Sequence, residues 1–263
     1  MMNANSFRQR VRQRERLVGT FLKTASYQVV EVLGTTDLDF LVIDAEHGPF
    51  DRGALDVCML AGRAADLPML VRVPNSSPDT ILGVLDIGAT GLLVPHARSE
   101  QGMRETVAAS RYRNGIRGFS NSPRAGRYGR CSMAKLIEHA DRDTTVVCQI
   151  EDRDAVESIE SLVAVEEVDC LFIGRADLAV SYGVSDINHE LVEDAVQRVC
   201  AACRRAQKAV GIFLGDPRDC MRYEELGVSL FVVGSDQSWL YAQASLVATA
   251  MQRKPTQSNL SAS

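Results

Sequence analysis

Phe40-Leu41-Val42-Ile43-Asp44-Ala45-Glu46-His47-Gly48-Pro49 is the stretch that decides the fold: four apolar residues run straight into two acids, a histidine and a Gly-Pro turn. A near-continuous apolar run bounded by turn residues reads as a strand covered on both faces, and ionisable groups at its end read as chemistry. Two further stretches repeat the arrangement. Val146-Val147-Cys148-Gln149-Ile150-Glu151 and Cys170-Leu171-Phe172-Ile173-Gly174-Arg175-Ala176-Asp177 each finish an apolar run with a carboxylate. The same criterion gives the other strands: Val18–Phe21, Met69–Val73, Gly91–Pro95, Val210–Leu214 and Leu230–Val233. Helical patterns lie between them, among them Asp51–Ala65, Pro78–Asp86, Glu100–Arg111, Asp154–Ala164, Glu190–Lys208 and Pro217–Leu226. Eight strands alternating with helices predict an α/β fold, a parallel (β/α)8 TIM barrel. We expect a single domain over residues 1–263, with the barrel at about 17–236, an apolar helix at about 239–251 and a polar tail at 253–263.

A chain of 263 residues with 46% hydrophobic composition supplies one core of barrel size. A net charge of −5 excludes a general nucleic-acid surface, which needs a basic stripe. The basic run Arg8–Arg16 is the exception, read as the solvated face of a short leading helix or, alternatively, a site for a partner or polyanion. No apolar run reaches membrane-span length, and no apolar signal core precedes Leu17, so the expectation is a cytoplasmic protein with no membrane partner. Seven cysteines are expected to be reduced thiols. Cys200 and Cys203 form a CxxC inside the helical pattern Leu191–Lys208, which assigns them to packing rather than to zinc or redox chemistry. The interval His96–Thr144 is too long for a simple crossover, and its Gly/Arg-rich pieces Arg113–Ser120 and Arg124–Arg130 are expected to serve the mouth of the site.

In a parallel barrel the carboxyl ends of the strands converge on one face. Glu151 and Asp177 close neighbouring strands, so both carboxylates are candidates for one divalent ion, Mg or Mn, completed by water and substrate oxygens; helix caps or rim salt bridges are the alternative. His47, with Asp44 three residues upstream to hold one ring nitrogen, is a candidate general base, or else a structural histidine in its turn. Arg72 at a strand end needs an anionic partner, either a substrate enolate or carboxylate oxygen or an internal acid such as Asp44, Glu46 or Glu151. A Schiff-base mechanism needs an active-site lysine. Of Lys23, Lys135, Lys208 and Lys254, only Lys23 lies near a strand end, and no apolar pocket around it is visible in the sequence.

From about Val18 through Asp236 the chain resembles the HpcH/HpaI aldolase family, the metal-dependent class II pyruvate aldolases. The pieces that carry the resemblance are Asp44–Pro49, Arg72-Val73-Pro74, Leu85–Pro95, Arg117-Gly118, Gln149-Ile150-Glu151 and the Gly174–Leu178 turn. The resemblance implies that Glu151 and Asp177 hold a divalent cation (Mg, Mn or Co) that chelates the keto and carboxylate oxygens of pyruvate. It further implies that Arg72 steadies the enolate, that His47 with Asp44 moves the proton on the aldehyde or hydroxyl side, and that Gln149 and the backbone at Ala176 and Asp177 contact the pyruvate part. Leu214 is implied on the pocket wall. Asp86 resembles an acid that reaches the site near a subunit boundary, with helix-terminus capping as the other reading. The implied partners are a small 2-oxo acid, an aldehyde and further copies of the chain in a hexamer or trimer, with the C-terminal helix exchanged. Rival activities are a citryl- or malyl-CoA lyase and a barrel that only binds. The chain departs from the family pattern at Arg175, at Tyr112-Arg113-Asn114-Gly115 and at Asp152, which bears on acceptor specificity.

Overall fold

The computed structural model describes residues 6–252; the expected polar tail 253–263 lies outside them. Chain order is α1 (Phe7–Arg12), β1 (Leu17–Leu22), α2 (Tyr27–Leu33), β2 (Phe40–Asp44), α3 (Arg52–Ala64), β3 (Met69–Arg72), α4 (Pro78–Asp86) and β4 (Gly91–Val94), then α5 (Glu100–Ser110), α6 (Met133–Asp143) and β5 (Thr145–Ile150). It continues through α7 (Arg153–Glu157), α8 (Ile159–Val163), β6 (Cys170–Ile173), α9 (Arg175–Ser181), α10 (Glu190–Arg205), β7 (Ala209–Leu214), α11 (Cys220–Glu225), β8 (Leu230–Ser235) and α12 (Asp236–Gln252). The strands pair in sequence order, all parallel, and β8 closes on β1. The chain is therefore a closed (β/α)8 barrel, and each expected strand is present. The expected helix Asp154–Ala164 is broken at Ser158 into α7 and α8.

Alternation along each strand sorts the core into layers. In β2, Phe40 and Val42 point into the barrel beside Phe21, Leu70, Leu93, Val147 and Phe172, while Leu41 and Ile43 point out towards the helices. The barrel is filled by side chains, so the chemistry sits at its carboxyl-end mouth.

The amino end is stoppered by α1, whose Phe7 and Val11 are buried and whose Phe7 ring lies 5.3 Å from that of Phe40. The basic run is only in part the solvated face expected of it: Arg12, Arg14 and Arg16 are exposed, but Arg8 and Arg10 are largely covered. Arg8 and Arg12 both pair with the buried Asp169, at 2.9 and 2.7 Å, and Arg10 reaches Asp39 at 2.8 Å. Asp169 also accepts the amide of Val146, so it ties the leading helix to β5. These arginines hold the stopper in place. Repeated like charge in a sequence shows nothing of the acids that meet it from distant segments.

The Gly/Arg-rich loop also departs from expectation. Helix α5 returns the chain to the amino end of the barrel, so the loop after it packs there and not at the mouth. Arg124 donates to the carbonyls of Asp56 and Ile87, and the amides of Tyr112 and Arg113 donate to the Asp141 carboxylate.

Helix α12 leaves β8 exposed, with Leu240, Tyr241, Leu246, Val247 and Met251 all more than half exposed. The seven cysteines are unpaired; burial pushes the thiols of both Cys200 and Cys203 up to about 12, as expected of packing residues. Among the described residues no helix is long and apolar enough to cross a membrane.

Candidate active site

Two clusters face each other across the mouth, around a cavity of about 440 Å³ whose walls include Phe21, Lys23, His47, Arg72, Gln149 and Asp177. The first is built by register. Asp44 and Arg72 are paired residues of β2 and β3, both last in their strands. The guanidinium therefore meets the carboxylate side by side, with Nε 3.0 Å from Oδ1 and Nη2 2.8 Å from Oδ2. Asp44 Oδ1 also accepts the His47 amide at 3.1 Å, and Lys23 Nζ approaches Oδ2 to 2.9 Å. Asp44 is fully buried. Burial alone would raise its carboxyl, but the Arg72 hydrogen bonds and charge, with Lys23 and the His47 amide, hold it down to about 2. The Arg72 Cζ lies over the Phe21 ring, 4.6 Å from its centroid, and its Nε has Glu46 at 3.3 Å.

This geometry corrects one expectation. Asp44 does not hold the His47 ring; both its oxygens are committed to Arg72, Lys23 and the His47 backbone. The ring is 61% exposed, and its nearest acid is Glu46, at 3.8 Å from Nε2. The turn itself is forced: Gly48 donates its amide to the Asp44 carbonyl at 2.9 Å, and a Cβ there would lie 2.3 Å from that oxygen.

The second cluster is acidic. Glu151, the residue after β5, is 2% exposed. Its Oε1 accepts the His96 amide at 2.7 Å, and Gln149 Nε2 donates to its Oε2. Burial raises the Glu151 carboxyl to about 7; the His96 amide and ring oppose this, while the charges of Asp177 and Glu46 add to it. Asp177 stands in the first turn of α9, beyond the end of β6 at which it was expected. Gln149 Oε1 is buried without a hydrogen-bond partner. Gly174 keeps the cradle open, since a Cβ there would come within 2.9 Å of Glu151 Oε2.

A divalent cation fits this arc: two carboxylates, a buried amide oxygen with nothing to bind, and crowded negative charge are what a hard cation relieves. Among the described residues no three His, Cys, Asp or Glu groups converge on one point as a metal site would require of protein ligands alone.

Three further positions lie outside the two clusters. Leu214 is fully buried in the layer between barrel and helices, and its neighbour Phe213 lines the cavity instead, because adjacent strand residues face opposite ways. Asp86 ends α4, at the amino end of the barrel, where it pairs with Arg117 at 3.1 Å; within one chain it is at the opposite end of the barrel from Glu151. It does not cap the helix favourably either, since an acid at a helix carboxyl end opposes the dipole and Arg117 offsets it. Arg175, where the chain departs from the family pattern, is buried at the cavity wall. It is 7% exposed, stacked on Tyr223 and donating to its hydroxyl at 2.7 Å, with no acid among the described residues within ion-pair distance.

His96 is a site neighbour that the strand-end pattern did not single out. It adopts φ 51°, a left-handed conformation unusual for a side chain, and that turns its amide onto Glu151. Its ring Nδ1 lies 3.1 Å from Asp152, which Arg98 also holds. Its place two residues past the β4 run, Val94-Pro95-His96, was the available signal. Ala176 lines the cavity beside Asp177.

A closed parallel barrel with its ionisable groups gathered at the strand carboxyl ends defines the class, an α/β barrel enzyme. The chain belongs to the HpcH/HpaI aldolase/citrate lyase family, whose model matches residues 17–242; it is a carbon–carbon lyase. It is 32% identical over 234 residues to a 5-keto-4-deoxy-D-glucarate aldolase of Klebsiella pneumoniae subsp. pneumoniae, covering 88% of this chain and 91% of that one. Among solved structures it superposes on an HpcH/HpaI aldolase/citrate lyase family protein from Burkholderia cenocepacia J2315 with TM-score 0.88 and 35% identity, over 94% of this chain and 98% of that one. It likewise matches the citrate synthase SbnG with TM-score 0.85 and 27% identity, over 94% and 98%.

Proposed function

We propose that the protein catalyses reversible aldol addition and cleavage, joining pyruvate or a related 2-oxo acid such as hydroxypyruvate to an aldehyde to give a 4-hydroxy-2-oxo acid. The observation that carries this reading is the opposition of the two clusters: buried carboxylates with an unpartnered amide oxygen on the β5–β6 arc, and paired cations with an exposed histidine on the β1–β3 arc. The aldolase name of the Klebsiella relative agrees with it.

Glu151 and Asp177 are proposed to hold Mg, Mn or Co, with Gln149 and Ala176 against the 2-oxo acid. A bound cation supplies the positive charge that makes the methyl proton of the 2-oxo acid easier to remove. Arg72, held in orientation by Asp44, is placed to stabilise negative charge developing on the enolate oxygen. His47, with Glu46 near its ring, is placed to carry the proton at the aldehyde or hydroxyl oxygen. Asp44 is a positioning residue, fixing both the Arg72 plane and the His47 backbone. Asp86 can take a catalytic role only in the site of another copy. The exposed apolar residues of α12 support a homo-oligomer, trimer or hexamer, and the free thiols suit a reducing cytoplasm.

Proton NMR of pyruvate in deuterium oxide tests the reading without knowledge of the aldehyde. Metal-stripped protein is expected to be silent, and added Mg, Mn or Co should start exchange of the methyl protons. Failure to exchange in protein shown by calorimetry to bind the metal would contradict it and favour the thioester-cleaving branch, for which the family's citrate lyase members and the citrate synthase neighbour provide the precedent.

A further inference from the structure

The opposite end of the barrel carries a second cavity, of about 440 Å³, that shares no lining residue with the mouth. Phe7 of α1, Met59 of α3 and Met69 of β3 supply its apolar part, and three arginines, Arg63, Arg124 and Arg127, stand in its wall. The arginines come from separate places: Arg63 from the last turn of α3, Arg124 and Arg127 from the Gly/Arg-rich loop. The reaction proposed above uses none of them.

Arg124 is incompletely satisfied. It is only 8% exposed; Nη1 donates to the carbonyls of Asp56 and Ile87 and Nη2 to the Asp56 carboxylate, but Nε is buried without a hydrogen-bond partner. A buried guanidinium N–H left unmet is costly, and folded chains keep few of them. Gly88 shares the wall with φ 97°, and a Cβ there would stand 3.5 Å from Arg124 Cδ, so the missing side chain keeps that flank of the arginine open. Arg63 and Arg127 are exposed, and among the described residues their guanidiniums make no hydrogen bond or ion pair. Against three cations the chamber sets Asp66 and the Asp56 that Arg124 already holds, which leaves it positive in a chain of net charge −5.

A smaller cavity, of about 310 Å³, adjoins it, and the two share Gly88, Thr90 and Ala125. Its wall includes Arg117, His139 and Asp143, so it offers both donors and acceptors. Arg117 repeats the pattern of Arg124: its side chain is 2% exposed, Nη2 donates to Asp86, and Nε is buried and unpartnered. Each chamber thus has one orphaned guanidinium N–H in its wall.

Chemistry narrows what would fill them. Three guanidiniums around one chamber suit a group with several oxygens and more than one charge, a phosphate rather than a carboxylate. The space exceeds what a bare phosphate occupies, and the mixed donors and acceptors of the second chamber suit hydroxyl groups.

We propose that the amino end of the barrel binds a sugar phosphate, with the phosphate among Arg63, Arg124 and Arg127 and the hydroxylated body lying across Gly88 and Thr90 towards Arg117 and His139. The site stands independently of the aldol reading.

Calorimetry on the metal-free protein tests it with glucose 6-phosphate, glucose and inorganic phosphate as probes. The ester is expected to bind more tightly than inorganic phosphate, and glucose to be silent. Arg63→Gln and Arg127→Gln alter exposed side chains, so the fold should stand; Arg124 is kept because it also ties Asp56 to the turn after α4. Each substitution should weaken the ester about 3- to 10-fold and the two together about 30-fold, whereas Lys23→Met at the mouth should leave its affinity unchanged. No binding of the ester overturns the proposal, as does an affinity no greater than that for inorganic phosphate. Binding that survives the double substitution but is lost in Lys23→Met overturns it too, by placing the phosphate at the mouth. So does a double variant that loses mass in sedimentation velocity while keeping its ester affinity, because the arginines then serve a contact between copies.

Discussion

The two arcs of the barrel mouth solve the same problem in opposite ways. On the β1–β3 arc a fully buried acid, Asp44, is matched by its own chain: two hydrogen bonds from Arg72, one backbone amide and a lysine. On the β5–β6 arc an equally buried acid, Glu151, meets only an amide side chain, a backbone amide and the edge of a histidine, and has further acids nearby. One carboxyl is held down to about 2 and the other raised to about 7. Burial is common to both, so the difference lies in the partners. A self-compensated arc is rigid and pre-aimed; an undercompensated arc stores a demand for positive charge, which a cation meets.

Removing the demand should have the largest effect. Glu151→Gln takes the charge from the acidic arc and is expected to lower metal-assisted turnover by about 10³-fold, with loss of Mn binding in calorimetry and little loss of thermal stability. Normal Mn affinity in this variant would break the comparison at its centre. Breaking the compensated arc should instead cost the fold. Arg72→Met leaves Asp44 buried with its main partner gone, and a destabilisation of about 3–5 kcal/mol is expected in urea unfolding. A variant as stable as wild type would show that Lys23 and the His47 amide suffice.

Acid provides a graded version of the same experiment. Because the Asp44 carboxyl is lower in the folded chain than its ordinary 3.8, its contribution is complete above that value and disappears as pH falls through about 4 towards 2. The expected size is about 2 kcal/mol at neutral pH. The stability gap between wild type and Asp44→Asn should therefore close on acidification, and a gap that widens would contradict the assignment. The smallest effect is expected at His96. If the backbone amide is what holds Glu151, His96→Gly relieves the left-handed strain and changes stability by about 1 kcal/mol or less, with Mn affinity near that of wild type. A large loss of affinity would move the role from the amide to the ring.

Much of the molecule was legible in the chain because its elements are local. Apolar runs of four to six residues are strands wherever both faces are covered, and an acid or base directly after such a run stands at the barrel mouth by topology. That is why Asp44, His47, Arg72, Gln149 and Glu151 are assigned to the mouth by the chain alone. Direction of travel carries information that the strand-end pattern leaves out, and the 113–130 loop shows it: a chain descending a helix arrives at the amino end.

What the sequence by itself determined is the barrel, its strand ends and the list of ionisable groups available there, since periodicity and turn chemistry act over a few residues. Only the tertiary structure decided which of those groups neutralise one another. Asp44 is paired with a lysine 21 residues before it and an arginine 28 residues after it, contacts set by strand register and barrel closure. The facing of β7 likewise put Phe213 into the cavity in place of Leu214. A charge acquires its function from what lies within a few ångströms, and in this chain those neighbours come from strands remote in sequence.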